Sequence, residues 1–114
     1  MKTVYIAGPY TLNDVAENVA NAMLAWHELA DAGFAPFCPH LSHFLHMQKQ
    51  RPYNEWMSQD LVWLKKCDAV LRLPGESIWA DSETKEAQRL EIPLFTEIRS
   101  VVEWANHEQD QKSE

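Results

Sequence analysis

The sequence predicts an α/β fold. It reads as a single domain with a mostly parallel sheet of four to five strands and helices on both faces, of the Rossmann-like or flavodoxin-like kind. Three observations lead there. Short β-branched and aromatic runs recur at Thr3 to Ala7, Phe34 to Cys38, Ala69 to Leu73 and Ile92 to Thr96. Longer stretches with apolar residues three and four apart lie between them. No hairpin signal joins any two runs, so successive strands are expected to be linked by crossovers and to lie parallel.

The first run, TVYIA, meets Gly8-Pro9 at once, which reads as a strand ending in a turn. Asp14 and Glu17 then have capping-box spacing. Val15, Val19, Ala22, Met23, Trp26, Leu29 and Ala30 mark one face of a helix, and Gly33 closes it as a C′ glycine. FAPFC reads as a second strand that Pro36 either weakens or places at a sheet edge. His40 to Pro52 reads as a long irregular segment. A second helix is expected from Tyr53 or Asn54 to about Lys66. Pro74-Gly75 stops the third strand, and Ser77 to Asp81 reads as a loop before a helix from Ser82 to about Leu90. The fourth strand precedes a last helix from Ser100 to about His107. The domain is expected over residues 1–108, with 109–114 as a frayed, solvated tail.

Composition removes several function classes. A chain of 114 residues suits one domain, since domains run to roughly 100–200 residues. Ten Lys and Arg against 17 Asp and Glu leave a formal charge of −7, a poor match for a nucleic acid polymer or an anionic membrane surface. A pocket for a single phosphate remains compatible with that balance. Cys38 and Cys67 form no CxxC pair or disulfide framework and read as reduced thiols. With no signal-peptide pattern and no apolar run near ~18 residues, the expected location is cytoplasmic.

In sheets of this kind ligands bind beyond the carboxyl ends of the strands, which directs attention to Gly8 to Asn13, Pro39 to Pro52 and Pro74 to Ser82. Asp60 shares a helix face with Trp56, Met57, Trp63 and Leu64, where a carboxylate is costly unless it is paired or borders a pocket. A boundary residue bonded to backbone or Arg is as good a reading as a site role. Glu83 suits a helix dipole in a first turn, or a carboxylate aimed into the cleft as nucleophile or base. Ser77 is an ordinary turn former or an anion contact. Neither GxGxxG nor a Walker A pattern occurs, so no cofactor is expected. His40, His43 and His46 form an HxxHxxH series without the Glu or Cys of zinc motifs, so no metal is expected. His40 and His43 are expected to bond backbone or line the cleft. Arg72, Lys85 and Arg89 are the basic candidates near it, and most of the five tryptophans, Trp26 and Trp63 among them, read as core.

The stretch from Ser58 to Ala87, SQDLVWLKKCDAVLRLPGESIWADSETKEA, resembles the signature of the nucleoside 2-deoxyribosyltransferase superfamily, which includes the 2′-deoxynucleoside 5′-phosphate N-hydrolases. The matching residues are the Asp60 that opens DLVWL, the Asp68 before an apolar strand, and Glu83 ahead of a small-residue helix. YIAGPY resembles the first strand and glycine turn of that family, with Tyr5 at its pocket-bordering tyrosine. The AGPY, PH and CDAVLxLPG segments are similar to short bacterial and phage members.

The resemblance implies catalytic roles for Glu83, Asp60 and Tyr5. Glu83 would attack the anomeric carbon, Asp60 would orient it and move protons, and Tyr5 would hydrogen-bond near the carboxylate. It implies substrate contacts at Gly8, Pro9, Ser77, Trp79 and His43. Ser77, six before Glu83, stands where the N-hydrolases carry a phosphate-contacting serine, which points to a 5′-monophosphate. Trp79 departs from the family, which has glycine or another small residue there, and its ring would narrow the pocket or stack on a base. The implied partners are a small nucleoside or nucleotide and further copies of the chain, in a homodimer or larger assembly. The alternatives are a catalytically inactive nucleotide-binding module of the same fold, and an interaction protein with exposed tryptophans.

Overall fold

A computed structural model of the chain describes residues 1–113. In order, it has β1 (Thr3–Ala7), α1 (Val15–Asp31), β2 (Ala35–Phe37), a 3-10 turn (Pro39–Leu41), α2 (Ser42–Gln48), α3 (Tyr53–Leu64), β3 (Ala69–Arg72), α4 (Ile78–Arg89), β4 (Leu94–Phe95) and α5 (Ile98–Ser113). The four described strands form one all-parallel sheet in the order β2-β1-β3-β4.

The central strand organises the two layers of helices. Side chains alternate across a strand, so Val4 and Ile6 enter one cluster with Ala22, Ala25 and Leu29 of α1 and Val101 of α5. Tyr5 and Ala7 enter the other, with Leu64 of α3 and Ala80 and Ala87 of α4. Val4 to Ala7 are all fully buried. A tyrosine pointing into the second layer carries its hydroxyl into an apolar interior and needs a partner there.

Local chemistry sets the ends of these elements. Asp14 caps α1 by accepting from the Glu17 N–H at 3.2 Å, and Gly33 follows the helix at φ +94°, where a side chain would be strained. On β2, the Ala35 N–H donates to Lys2 O, so residues 35 and 37 turn their backbone groups toward β1. Pro36 faces outward. It has no N–H, and its carbonyl accepts from the Trp26 indole at 3.1 Å. The edge position expected from Pro36 is the observed one.

Several boundaries differ from the sequence expectation. The segment His40 to Pro52 is not irregular: Pro39 starts a 3-10 turn that leads directly into α2, because HLSHFLHMQ has no helix breaker. Helix α4 begins at Ile78, not Ser82, because Ser77 is its N-cap and accepts from the Ala80 N–H at 3.0 Å. Trp79 is therefore a helical residue rather than a loop residue, and Glu83 lies in the second turn rather than the first. Helix α5 starts two residues earlier than expected and continues to Ser113, past the expected end near His107. Trp63 is not core: it is 48 % exposed, with Phe37 stacked at 5.3 Å between ring centres. Helix α3 is short and rests mainly on Leu64, so its outer turns stay at the surface.

The loops after β1 and β3 press on each other. A Cβ on Gly8 would stand 3.0 Å from Leu73 Cβ, and one on Gly75 would stand 2.8 Å from Pro9 Cγ. Gly75 also has φ +114°. Gly75→Ala is therefore expected to destabilise the fold by about 1–3 kcal/mol through contact and backbone strain together. Thermal unfolding of the variant checks this, and a melting temperature equal to that of the parent would contradict it.

Candidate active site

The site lies where the strand order reverses, since β1 has β2 on one side and β3 on the other. The loop after β1 is held from both layers. Asn18 Nδ2 of α1 donates to the carbonyls of Tyr10 and Leu12 at 2.9 and 2.8 Å. From the other end His40, buried, meets Pro9 O at 2.9 Å through Nε2. A carbonyl only accepts, so Nε2 carries the proton and Nδ1 is bare; burial pushes the imidazole toward its neutral form. Tyr10 Oη and His43 Nδ1 are 2.6 Å apart, which ties the loop to α2. Arg72 secures the loop after β3. Its guanidinium donates to Leu73 O, to Gly75 O at 2.9 Å and to Asp81 Oδ1 at 3.0 Å.

Between these two loops and under α3, Glu83 is 2 % exposed. The Tyr5 hydroxyl donates to Glu83 Oε2, a hydrogen bond between the central strand and α4. Burial is the main reason that the Glu83 carboxyl is pushed up to about 8. The Tyr5 bond and the nearby Arg72 and Trp79 pull it down, and Asp60 raises it further. The Tyr5 phenol is driven strongly upward by burial and by both carboxylates, so it stays a donor at all ordinary pH. Asp60 is pushed up to about 7 by burial, and among the described residues nothing donates a hydrogen bond to it. The alternative of a boundary aspartate bonded to backbone or to an arginine does not apply.

The fold thus brings Tyr5, Asp60, Trp79 and Glu83 together from β1, α3 and α4. Ser77 stands at the mouth of the same helix, with one oxygen lone pair spent on the cap and its hydrogen free to donate. Gly8 and Pro9 shape the junction of the loops. His43 is attached to Tyr10 and not to the carboxylates. Of the basic candidates, Arg72 is near Glu83, whereas Arg89 pairs with Glu86 on the exposed side of α4. His40, His43 and His46 have separate partners, in Pro9, Tyr10 and Trp56. Among the described residues no three His, Cys, Asp or Glu are grouped to hold a metal ion.

One site residue was not singled out from sequence. Tyr53, at the start of α3, has its phenol raised by burial and by Glu83 and Asp60. It precedes Asp60 by seven residues, two helical turns on one face, and that spacing was the available signal. A cavity of about 710 Å³ adjoins this group. Asp60 lines it, together with Trp26, Phe37, Leu45, Trp56 and Trp63, at the β2 edge. Glu83 is not on its wall.

Residues 2–97 match the family described as a domain of unknown function, DUF7768, and the chain belongs to that family. No curated protein matches it. Among solved structures, the chain resembles the 2-deoxyribosyltransferase from the psychrotolerant bacterium Bacillus psychrosaccharolyticus. The TM-score is 0.59 with 22 % identity, over 84 % of this chain and 75 % of that one. The likeness shows a shared α/β fold. No described helix is long and apolar enough to cross a membrane.

Raised carboxyls link stability to pH. Asp60 and Glu83 keep protons in the folded chain that they lose near pH 4 when unfolded. Their burial is fully tolerated below about pH 4, and stability is lost as pH rises through about 7 and 8. Glu83→Gln is expected to match the parent at pH 4 and to exceed it at pH 9 by at least ~1 kcal/mol, about 4 °C or more in Tm. Melting curves across that range measure it; parallel curves for both proteins would show the carboxyl to be unshifted.

Proposed function

We propose that this chain cleaves or exchanges the N-glycosidic bond of a 2′-deoxynucleoside or nucleoside 5′-monophosphate, with Glu83 as nucleophile. The observation that carries this reading is the buried Glu83 carboxyl, bonded to Tyr5 and neighboured by Asp60, at the carboxyl ends of β1 and β3. The signature around Asp60 and Glu83 supports it, and so does the fold shared with a 2-deoxyribosyltransferase described as a biocatalyst for nucleoside synthesis.

In the first step a Glu83 carboxylate oxygen bonds to the anomeric carbon and the bond from that carbon to the base nitrogen breaks. Its electron pair leaves with the base, which takes a proton from Asp60. In the second step water, or another base, attacks the same carbon and gives its proton to the Asp60 carboxylate, while the bond from that carbon to Glu83 breaks and Glu83 leaves as carboxylate. This is the two-step retaining logic of glycosidases. The reactive form holds one proton between two carboxyls, with Glu83 ionised and Asp60 protonated. Tyr5 donates to Glu83 throughout and fixes which oxygen is free to attack. In this reading Ser77 and the first turn of α4 would take a 5′-phosphate, Trp79 and His43 would border the ligand, and Gly8 and Pro9 would shape its floor. Further copies of the chain, in a dimer or larger assembly, belong to the same reading, as does a cytoplasmic setting.

Incubation with a panel of deoxynucleosides and their 5′-monophosphates, followed by chromatography of the released base, tests the proposal. Glu83→Gln is expected to lose ~10³-fold or more in kcat and Asp60→Asn ~10²-fold or more. Because the two carboxyls lose their protons over about pH 7 to 8, kcat/KM should follow a bell centred in that window. Base release that survives unchanged in Glu83→Gln would defeat the proposal.

A nucleotide-binding module without turnover is the second reading, favoured by the bulk of Trp79 beside Glu83. It predicts ligand binding by calorimetry with no base released, and activity gained in Trp79→Gly.

A further inference from the structure

Trp79 and Glu83 are four residues apart on α4 and share one helix face. The Trp79 indole nitrogen is sealed from solvent and donates to no acceptor at normal hydrogen-bond geometry. Leaving such a donor unpaired costs about 1–3 kcal/mol, and phenylalanine would fill the same space without that cost. An acceptor beside it is the Glu83 carboxyl, which Trp79 approaches closely enough to favour its ionised form.

The other groups around Glu83 leave that role open. Tyr5 of β1 already serves Oε2. Arg72 of β3 has its guanidinium engaged by two carbonyls and Asp81. Asp60 of α3, once ionised, can only accept, and the phenol of Tyr53 on α3 belongs to a side chain that is 52 % exposed. When Glu83 is neutral, its remaining oxygen is a weak acceptor. When it ionises, bonds to it become shorter and roughly twice as strong.

We propose that Trp79 is a positioning residue whose indole N–H becomes the second donor to the Glu83 carboxylate, engaged when Glu83 loses its proton to water and disengaged when the proton returns. Tyr5 and Trp79 then hold the carboxylate from two sides, restricting rotation about its terminal bond and presenting one face toward the cleft. The catalytic consequence rests on the N-glycosidase reading above. The switch itself does not, and it is tested without substrate.

The experiment is a pH titration of ¹⁵N-labelled protein from pH 6 to 10, observing the indole N–H signals of the five tryptophans. Trp79→Phe identifies the Trp79 signal by its disappearance. That signal should move downfield as Glu83 ionises, with a midpoint near the carboxyl's value of about 8. The movement should vanish in Glu83→Gln and persist, with a lower midpoint, in Asp60→Asn. In the companion measurement, the ¹³C carboxyl signal of Glu83 should titrate about half to one pH unit higher in Trp79→Phe than in the parent, the worth of one such bond. A Trp79 signal that stays still, or that moves equally in Glu83→Gln, would overturn the proposal. A carboxyl midpoint unmoved in Trp79→Phe would do the same. Should base release be found, the basic limb of its pH profile, which follows the Glu83 carboxyl at about 8, moves upward by the same interval in Trp79→Phe. Should none be found, the spectra still decide the question.

Discussion

Burying the Glu83 carboxyl between the sheet and two helices costs several kcal/mol if nothing meets it, and the phenol of Tyr5 is what meets it. The bond crosses from the central strand to α4, so it requires β1 in register, α4 at its observed depth and α3 closed over both. Each of these is fixed by apolar packing around it, through Ala7, Leu64, Ala80 and Ala87. The small residues at 80 and 87 matter most, because they let α4 approach the sheet closely enough for a glutamate to reach a strand tyrosine. The same closeness excludes water and pushes both carboxyls upward in pH. The raised carboxyls and the cost of burying them therefore arise from one arrangement.

The loops follow from a second constraint, close contact of a glycine backbone in one loop with a side chain of the other. Gly8 rests on Leu73 and Gly75 on Pro9, so the turns after β1 and β3 form one wall. Arg72 stitches that wall to α4 through Asp81, and Asn18 and His40 hold it from α1 and the 3-10 turn. The cleft is thus built on rigid supports, with its polar bonds directed mostly to backbone carbonyls. Ser77 and Trp79 sit at the cap and in the first turn of α4.

Much of the architecture was legible in the residues. Alternation in TVYIA, the helical steps of α1, the Asp14 cap and the glycine after Asp31 all rest on local periodicity or local backbone geometry, which sequence records directly. The parallel order followed from the missing hairpins. The start of α4 was misplaced because serine is both a turn former and a cap, and only the Ala80 N–H within reach distinguishes the two. Trp63 was taken for core because its neighbours are apolar; how far a strand or helix extends beneath it is a tertiary fact. At the site, Asp60 and Glu83 stand out by their places on their own helices and Tyr5 through the motif, but their meeting depends on three elements spread over the chain. Tyr53 is marked in the sequence only by its seven-residue spacing from Asp60, which many first-turn residues share with a later carboxylate.

The outward carbonyl of Pro36 lies on the β2 margin of the sheet. A parallel sheet with a free margin is a template on which any extended chain can crystallise a further strand, and nascent or partly unfolded copies of the same protein are the commonest such chains in a cell. Here the margin at β2 offers neither group that such templating needs. The ring of Pro36 has erased the donor and the Trp26 indole occupies the acceptor. One proline and one tryptophan, far apart in sequence from the carboxylates, keep this side of the sheet from seeding runaway fibre growth.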